Sequence, residues 1–412
     1  MSIDLFAPLT LASGQVLKNR IAKAAMEEGM AGRNQAPDRR LIELYRQWGK
    51  GGAGLLITGN VMVHAEALAS PGDVVLDENS ALTQFRRWAA AAKGDGSALV
   101  MQISHPGRQI EKAMPGVVWG PSEVAMDLGK RHNGRFRKPT AMTLEQIQET
   151  VQRFATAAAK AEAADFDGVE IHAAHGYLIS QFLSPLANKR TDDWGGSLEN
   201  RARLLLDVVT RIRAEVRPGF IVGVKLNSAD FQRGGFEPDD ARRVINMLEP
   251  LGVDFVELSG GSYESPAMTG RPVDGRTAAR EAYFLEIAAD MARTSRIPLM
   301  LTGGISRMET ANAVLASGVQ IVGIGTALAV TPDLPQRWQV GEEAERALRR
   351  VTWSDKTLAS AASVALVRHQ LRRMSRGAAP VVRVHPACAL LHDQVVTAHS
   401  LRRYRRWLKS AS

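Results

Sequence analysis

Three side chains able to bind and protonate a substrate stand within six residues of one another. In the run Glu170-Ile-His-Ala-Ala-His-Gly-Tyr177 they are His172, His175 and Tyr177. Imidazole N–H groups can hold a carbonyl oxygen on which negative charge develops. A phenol, with a reference pKa of about 10, is a proton donor that stays protonated near neutrality. A single histidine is more often a satisfied core residue, but His-x-x-His-x-Tyr at the end of an apolar run points to chemistry. Zinc is not expected: Ala173 and Ala174 occupy the gap where His-Glu-x-x-His would need its glutamate, and no carboxylate cluster follows. A second group lies at Leu301-Thr-Gly-Gly-Ile305 and Val322-Gly-Ile-Gly-Thr326. Backbone N–H groups of Gly303, Gly304, Gly325 and Thr326, each turn leading into a helix, could cradle a phosphate. Taken alone, such pairs are equally compatible with plain tight turns.

These residues need elements that bring them to one place. Apolar runs alternate with helical-period segments, which argues for parallel strands joined by crossover helices. Strands are predicted at Arg20–Ala25, Gly54–Asn60, Ala98–Ser104, Gly168–His172, Ile221–Asn227, Phe255–Ser259, Leu299–Thr302 and Ile321–Ile324. Helices are predicted at Asp38–Lys50, Asn79–Lys93, Thr143–Ala163, Leu198–Arg217, Glu237–Leu251, Arg280–Arg293 and Ser306–Ser317, with a capping box at Thr143 and Gln146. Eight such units describe an α/β protein with a single (β/α)8 TIM barrel, whose chemistry sits at the C-terminal strand ends. The loops after strands seven and eight are then the usual phosphate site. An N-terminal hairpin turning at Ser13-Gly14 would close the bottom. Residues 105–142, rich in Gly, Pro and Arg, form an insert after strand three, read as a lid over the mouth.

The stretch from His172 to Arg203, with Ser-Pro-Leu-Ala-Asn-Lys-Arg-Thr-Asp-Asp-Trp-Gly-Gly-Ser-Leu-Glu-Asn-Arg inside it, resembles the signature of the old yellow enzyme family. The resemblance runs from Leu17-Lys-Asn-Arg-Ile21 to about Pro335. It implies an FMN-dependent ene reductase that takes hydride from NAD(P)H and delivers it to the β-carbon of electron-poor alkenes such as enones, enals and maleimides. It further implies that His172 and His175 bind the activating oxygen and Tyr177 protonates the α-carbon. Gln102 would pair with the pyrimidine edge of non-covalently bound FMN, and Lys225 would stand near flavin N1, where the family commonly has arginine; a solvated strand-end lysine is the plainer alternative. Ala25, Met26, Glu27, Gly59 and Asn60 match the turns that pass the ring. Asn188, Arg190, Asp192, Glu199, Asn200 and Arg201 look like a hydrogen-bonded frame beneath the signature loop. Two positions depart from the pattern. Thr326 replaces the arginine that usually follows the last glycine. Glu27 replaces a Thr or Cys, and a carboxylate there must be neutral or turned away unless a one-residue slip puts Glu28 at the ring. Ser104, Asn227, Ser259, Gly260 and Tyr263 are expected to shape the substrate pocket.

The remaining features bound the alternatives. The 412 residues carry a net charge of +9, and that excess lies wholly beyond residue 341. Residues 1–341 are therefore read as the FMN-binding barrel and 342–412 as a basic helical extension, with helices near Asp355–Arg373 and His399–Lys409. In the latter, Leu401, Tyr404 and Leu408 would pack on the body with the arginines in water; subunit contact and polyanion or membrane-surface binding are the rivals. The single cysteine, Cys388, cannot form an internal disulfide or hold an iron–sulfur cluster. No apolar stretch approaches the roughly 20 residues of a membrane span, and no signal peptide is visible, so cytoplasmic residence is expected. The partner is expected to be a small molecule, without nucleic acid, and homo-oligomerisation is left open. Other FMN-barrel chemistry, such as oxidative amine demethylation or carbonyl desaturation, is the nearest alternative. An RNA-directed flavin reductase, suggested by the basic tail, and a flavin-binding protein without activity are more distant.

Overall fold

A computed structural model of the chain describes residues 4–265, 284–343 and 347–411. Eight parallel strands close into a barrel. They are β1 (Ile21–Lys23), β2 (Leu55–Ile57), β3 (Ala98–Ser104), β4 (Gly168–Ala173), β5 (Ile221–Asn227), β6 (Phe255–Ser259), β7 (Leu299–Thr302) and β8 (Ile321–Ile324). Each pairs with the next, and β8 returns to β1 through Val322 opposite Ile21. The expected (β/α)8 barrel is thus observed.

Strand side chains alternate between the two faces. Ala22, Leu55, Ile57, Val100, Ile221, Phe255, Met300 and Ile321 meet inside the barrel, with Leu11 and Leu17 beneath them. Those two leucines come from the N-terminal hairpin, where Leu9–Thr10 pairs antiparallel with Val16–Leu17. Gly14 turns the hairpin with φ of +83°, and Ser13 N donates to Asp254 Oδ1 at 2.7 Å, tying it to the barrel. The floor is therefore sealed by hydrocarbon, as the hairpin's position suggested.

The outer ring comprises α1 (Arg39–Gly49), α2 (Thr83–Ala92), α3 (Leu144–Ala163), α4 (Leu178–Leu183), α5 (Leu198–Glu215), α6 (Pro238–Leu248), α7 (Leu285–Ala292), α8 (Met308–Ala316) and α9 (Leu334–Gln339). Thr143 and Gln146 complete the expected capping box. α2 begins four residues later than predicted because Asp77 Oδ1 accepts from Asn79 N and from Ser80 Oγ, holding a turn there. Residues 280–283, the predicted start of α7, lie outside the described residues. The short helices α4 and α9 were not expected from periodicity.

Beyond the barrel, α10 (Lys356–Met374) and α11 (Pro386–Ala411) pack on each other and on the body. α11 starts thirteen residues before the predicted His399. Pro386 marks that start, since proline is favoured in the first turn, where its missing N–H is not needed. Tyr404 is fully buried, with Leu401, Trp407 and Leu408 packed beside it against Met62, Leu68, Ile110 and Val118. Its hydroxyl donates to Ala65 O at 2.8 Å. The tail thus packs as expected, except that two of its arginines are not simply in water: Arg403 and Arg405 donate to the carbonyls of Ala31 and Ala113. No helix among the described residues is long and apolar enough to cross a membrane. Tyr404→Ala should cost about 3–5 kcal/mol through the lost ring and its cavity. Limited proteolysis should then cut α10 and α11 before the barrel unfolds, which cleavage mapping beside a urea titration would read.

Candidate active site

The inward positions at the upper end of the barrel are polar. Gln102 on β3 donates from Nε2 to Glu170 Oε2 on β4 at 2.6 Å. Lys225 on β5 donates from Nζ to Glu257 Oε1 on β6 at 2.5 Å. Lys225 is only 3% exposed, so it is no solvated strand-end lysine. Glu170 and Glu257 are fully buried, and Glu170 Oε1 and Glu257 Oε2 have no hydrogen-bond partner among the described residues. Burial, then the Glu257 charge, push the Glu170 carboxyl well above its usual range. Burial acts on Glu257 too, but Lys225 and its hydrogen bonds outweigh it and hold that carboxyl low. Glu170 therefore keeps its proton, and Glu257 balances Lys225. Buried charges persist only when paired in this way.

His172 sits two residues above Glu170 on the same face of β4 and is 4% exposed. Its ring lies edge-on to Tyr177, centroids 4.7 Å apart, and to His175 at 5.1 Å. The structure therefore brings the three predicted residues to one point. His175 adopts φ of +59°, a backbone conformation costly for a residue with a Cβ. Three bonds hold it there. Its N–H donates to Asn227 Oδ1 at 3.0 Å, its Nε2 meets Ser259 Oγ at 2.7 Å, and its carbonyl accepts from Gln109 Nε2 at 3.0 Å. Asn227 also donates to Asp230 and to Gly261 O. It thus props the His175 loop, rather than standing free in the pocket. Tyr177 OH lies 3.2 Å from Tyr263 OH, and Tyr263 is 38% exposed. Ser104 is buried with no hydrogen-bond partner for its hydroxyl.

Burial sets the protonation states. It lowers His172 to about 3, with Lys225 adding to the effect. It lowers His175 well below the ordinary value, helped by His172 and Lys225. Both rings are neutral at pH 7. Burial, then Tyr263 and Glu27, raise the Tyr177 phenol well above its ordinary value. The opening therefore offers neutral imidazoles and a protonated phenol.

The turns after β1 and β2 are fixed by a knot that the sequence reading missed. Lys23 points out of the barrel toward α1, with Nζ 3.0 Å from Tyr45 OH and 2.6 Å from Ile57 O. Tyr45 OH donates to Glu28 Oε1, which also accepts from Gly59 N at 3.0 Å. Gly59 admits no side chain: a Cβ would fall 2.0 Å from Glu28 Oε2. Glu28 is thus buried in the seam between barrel and α1. Glu27 turns its carboxylate to the guanidinium of Arg368, on α10. The sequence left Glu27 either neutral near the ring or turned away; its carboxylate is paired with Arg368, a partner in the extension that was not foreseen.

The start of the insert is stitched to the loop that carries His175 and Tyr177. Leu178 N donates to His105 O, and Gln181 links Pro106 and Gly176 carbonyls to Arg108 N. Arg108 Nη2 meets Glu264 Oε2 at 2.5 Å, and its Nη1 holds the carbonyls of Val124 and Ala125. The signature frame is also structural: Asn188 donates to Phe182 O and Trp194 O, and Arg201 to Leu183 O and Gly196 O.

Several features fit FMN. Gly303 and Gly304 have φ of +146° and +70°, conformations that favour glycine, and Gly304 is exposed. A Cβ at Gly325 would meet only Met26 Cγ at 3.9 Å, so the turn is open, and Thr326 beside it is exposed. The amide Nδ2 of Asn60 is buried without a partner. Lys225 on β5 is in register with His172, and Gln102 on β3 is in register with Glu170, the inward residue below it.

A profile of the NADH:flavin oxidoreductase / NADH oxidase family matches residues 4–345. The NADH-dependent flavin oxidoreductase of Hypocrea jecorina (strain QM6a) is 36% identical over 350 residues, covering 80% of this chain and 87% of that protein. That of Neonectria sp. (strain DH2) is 37% identical over 353 residues; the match takes in 80% of this chain but spans only 46% of the relative's length. Among solved structures, the old yellow enzyme homologue of Zymomonas mobilis superposes with a TM-score of 0.70 at 26% identity, covering 84% of this chain and 95% of that one.

Between about pH 6.5, where a free histidine titrates, and about 3, where His172 does, the unfolded chain binds a proton that the folded chain lacks. Stability is therefore intact above that window and falls on acidification through it, by about 1.4 kcal/mol per pH unit for this residue. Urea unfolding at pH 7, 6 and 5 should show His172→Gln flattening the slope by that amount. An unchanged slope would mean that the ring is not held neutral.

Proposed function

Because the chain belongs to the NADH:flavin oxidoreductase / NADH oxidase family and has an old yellow enzyme fold, we propose that it is an FMN-dependent ene reductase driven by NAD(P)H. The observation that carries this reading is the convergence of two neutral imidazoles and a protonated phenol on one opening. That set suits an alkene activated by an adjacent oxygen. Neutral rings hold the oxygen by hydrogen bonds without protonating it outright, while charge develops there.

Gln102 and Lys225 would hold the ring of FMN and Gly303, Gly304, Gly325 and Thr326 its phosphate; the cofactor would supply hydride transfer from the nicotinamide to the substrate's β-carbon. Ala25, Met26 and Asn60 would flank the ring. His172 and His175 hold the substrate oxygen; His175 is the more tightly aimed, because Ser259 and Asn227 fix its ring and backbone. Tyr177 gives its proton to the α-carbon. Tyr263, in hydrogen-bond contact with Tyr177 and reaching solvent, restores that proton. The knot of Lys23, Tyr45, Glu28 and Gly59 ties the β1 and β2 turns to each other and to α1. Substrate shape is read by Ser104, Tyr263 and the residues of the insert.

Anaerobic titration of FMN-loaded protein with NADH and NADPH, followed by enones, enals, maleimides and amines, tests the reading. Tyr177→Phe should leave flavin reduction by the nicotinamide unchanged and slow the alkene step by about 10²–10⁴-fold. Equal turnover of alkene by the variant, or a wild-type protein that takes up no FMN, would overturn it. Turnover of amines alone would favour demethylation chemistry instead.

A further inference from the structure

One side chain of the C-terminal extension, Arg368, reaches the turn that follows β1. Arg368 on α10 holds the Glu27 carboxylate with Nη2 and lies 3.5 Å from the Glu27 carbonyl with Nε. Its Nη1 meets Asp393 Oδ2 on α11 at 3.1 Å. Asp393 in turn accepts from Arg372. The four groups alternate in sign as Glu27, Arg368, Asp393 and Arg372, so none of the charges stands alone. Arg368 and Asp393 have side chains 11% exposed, and Glu27 is 24% exposed. Interactions in such a setting are screened less than on an open surface.

Glu27 is also close enough to the catalytic group for its charge to act there. Its field bears on the phenols of Tyr177 and Tyr263. The other charged or titratable groups facing it are Asp73, whose Oδ1 is buried without a partner, and Arg368 itself. The turn that carries Glu27 follows β1 directly, on the same rim as His172. A group occupying the opening would therefore feel the Glu27 charge. The position of Arg368 is set from several directions. Gln47 Nε2 on α1 donates to Met374 O at the end of α10, Tyr404 holds Ala65 O, and Arg403 holds Ala31 O.

We propose that Arg368 is a redox-positioning residue: by clamping Glu27, the C-terminal extension cancels a negative charge at the flavin site and so raises the flavin's midpoint potential. This rests on the FMN reading above. Reduction adds electrons to the ring, and an uncompensated carboxylate beside it disfavours that change. Removing the arginine exposes the carboxylate; removing the carboxylate leaves the arginine's charge in excess. The two halves of the pair must therefore shift the potential in opposite directions, which general loosening of the rim would not do.

The test is spectroelectrochemical titration of FMN-loaded wild-type protein, Arg368→Gln, Glu27→Gln and the double variant, with FMN content measured on each. Arg368→Gln should favour the oxidised form by about tenfold, a fall of about 30 mV for a two-electron couple. Glu27→Gln should move the potential up, and the double variant should return to near the wild-type value. If both single variants bind FMN and keep the wild-type potential, or shift it in the same direction, the inference fails while the flavin reading stands. If the wild-type protein binds no FMN, the flavin reading fails and this inference with it. Should Arg368→Gln not fold, the sign of the Glu27→Gln shift decides alone: a potential at or below wild type overturns the proposal.

Discussion

A closed parallel barrel forces every second strand residue inward, and in this chain that constraint is met with hydrocarbon below and with charge above. The lower layer and the hairpin leucines seal the floor. The upper layer places Gln102, Glu170, Lys225 and Glu257 where water is scarce. Two carboxyls and one ammonium cannot all ionise there without a penalty of several kcal/mol per uncompensated ion. The arrangement resolves this with one retained proton and one ion pair. Because His172 is the next inward residue above Glu170 on β4, the geometry of this layer carries directly into the site.

The same dependence runs through His175. Its left-handed backbone stores strain of order 1–3 kcal/mol, and it persists because two strands and the insert hold it. Asn227 comes from β5, Ser259 from β6, and Gln109 from the insert after β3. A loop restrained from several elements keeps its imidazole aimed without help from substrate. In the role proposed for His175 that matters, since the benefit of a donor to a developing charge lies in not having to reorganise.

Much of this was legible in the sequence. The eight strands read as short apolar runs, and six of the eight have the predicted boundaries to within one residue. Glycines requiring positive φ marked the β7 turn, and the spacing of His172, His175 and Tyr177 marked the site. The charged layer was also signalled, since Glu170, Lys225 and Glu257 interrupt hydrophobic strands at inward positions, but only Lys225 was singled out. What could not be read were contacts between distant segments. The Lys23, Tyr45 and Glu28 knot joins three elements whose charges look like ordinary surface residues in one dimension. Glu27 and Arg368 are 341 residues apart. The first half of α11 was hidden because Val395, Val396 and Thr397 are weak helix formers, and it is packing, not propensity, that makes that helix.

A division of labour follows from where each residue comes from. The chemistry-bearing residues stand on or directly after barrel strands, whose positions are fixed by the closed hydrogen-bonded sheet. The rim is built from segments outside that repeat: the insert after β3, the loop after β6 and the C-terminal helices. Each is secured by a poorly exposed arginine set on a carboxylate of another segment, Arg108 on Glu264 and Arg368 on Glu27. A guanidinium suits this work because its fork can satisfy a carboxylate and nearby carbonyls together, as Arg108 does with Val124 and Ala125. A barrel fold alone does not dictate what is transformed. In this chain the closed strands fix the positions of His172, Lys225 and Gln102, while the segments around them are anchored by arginines on carboxylates of other segments.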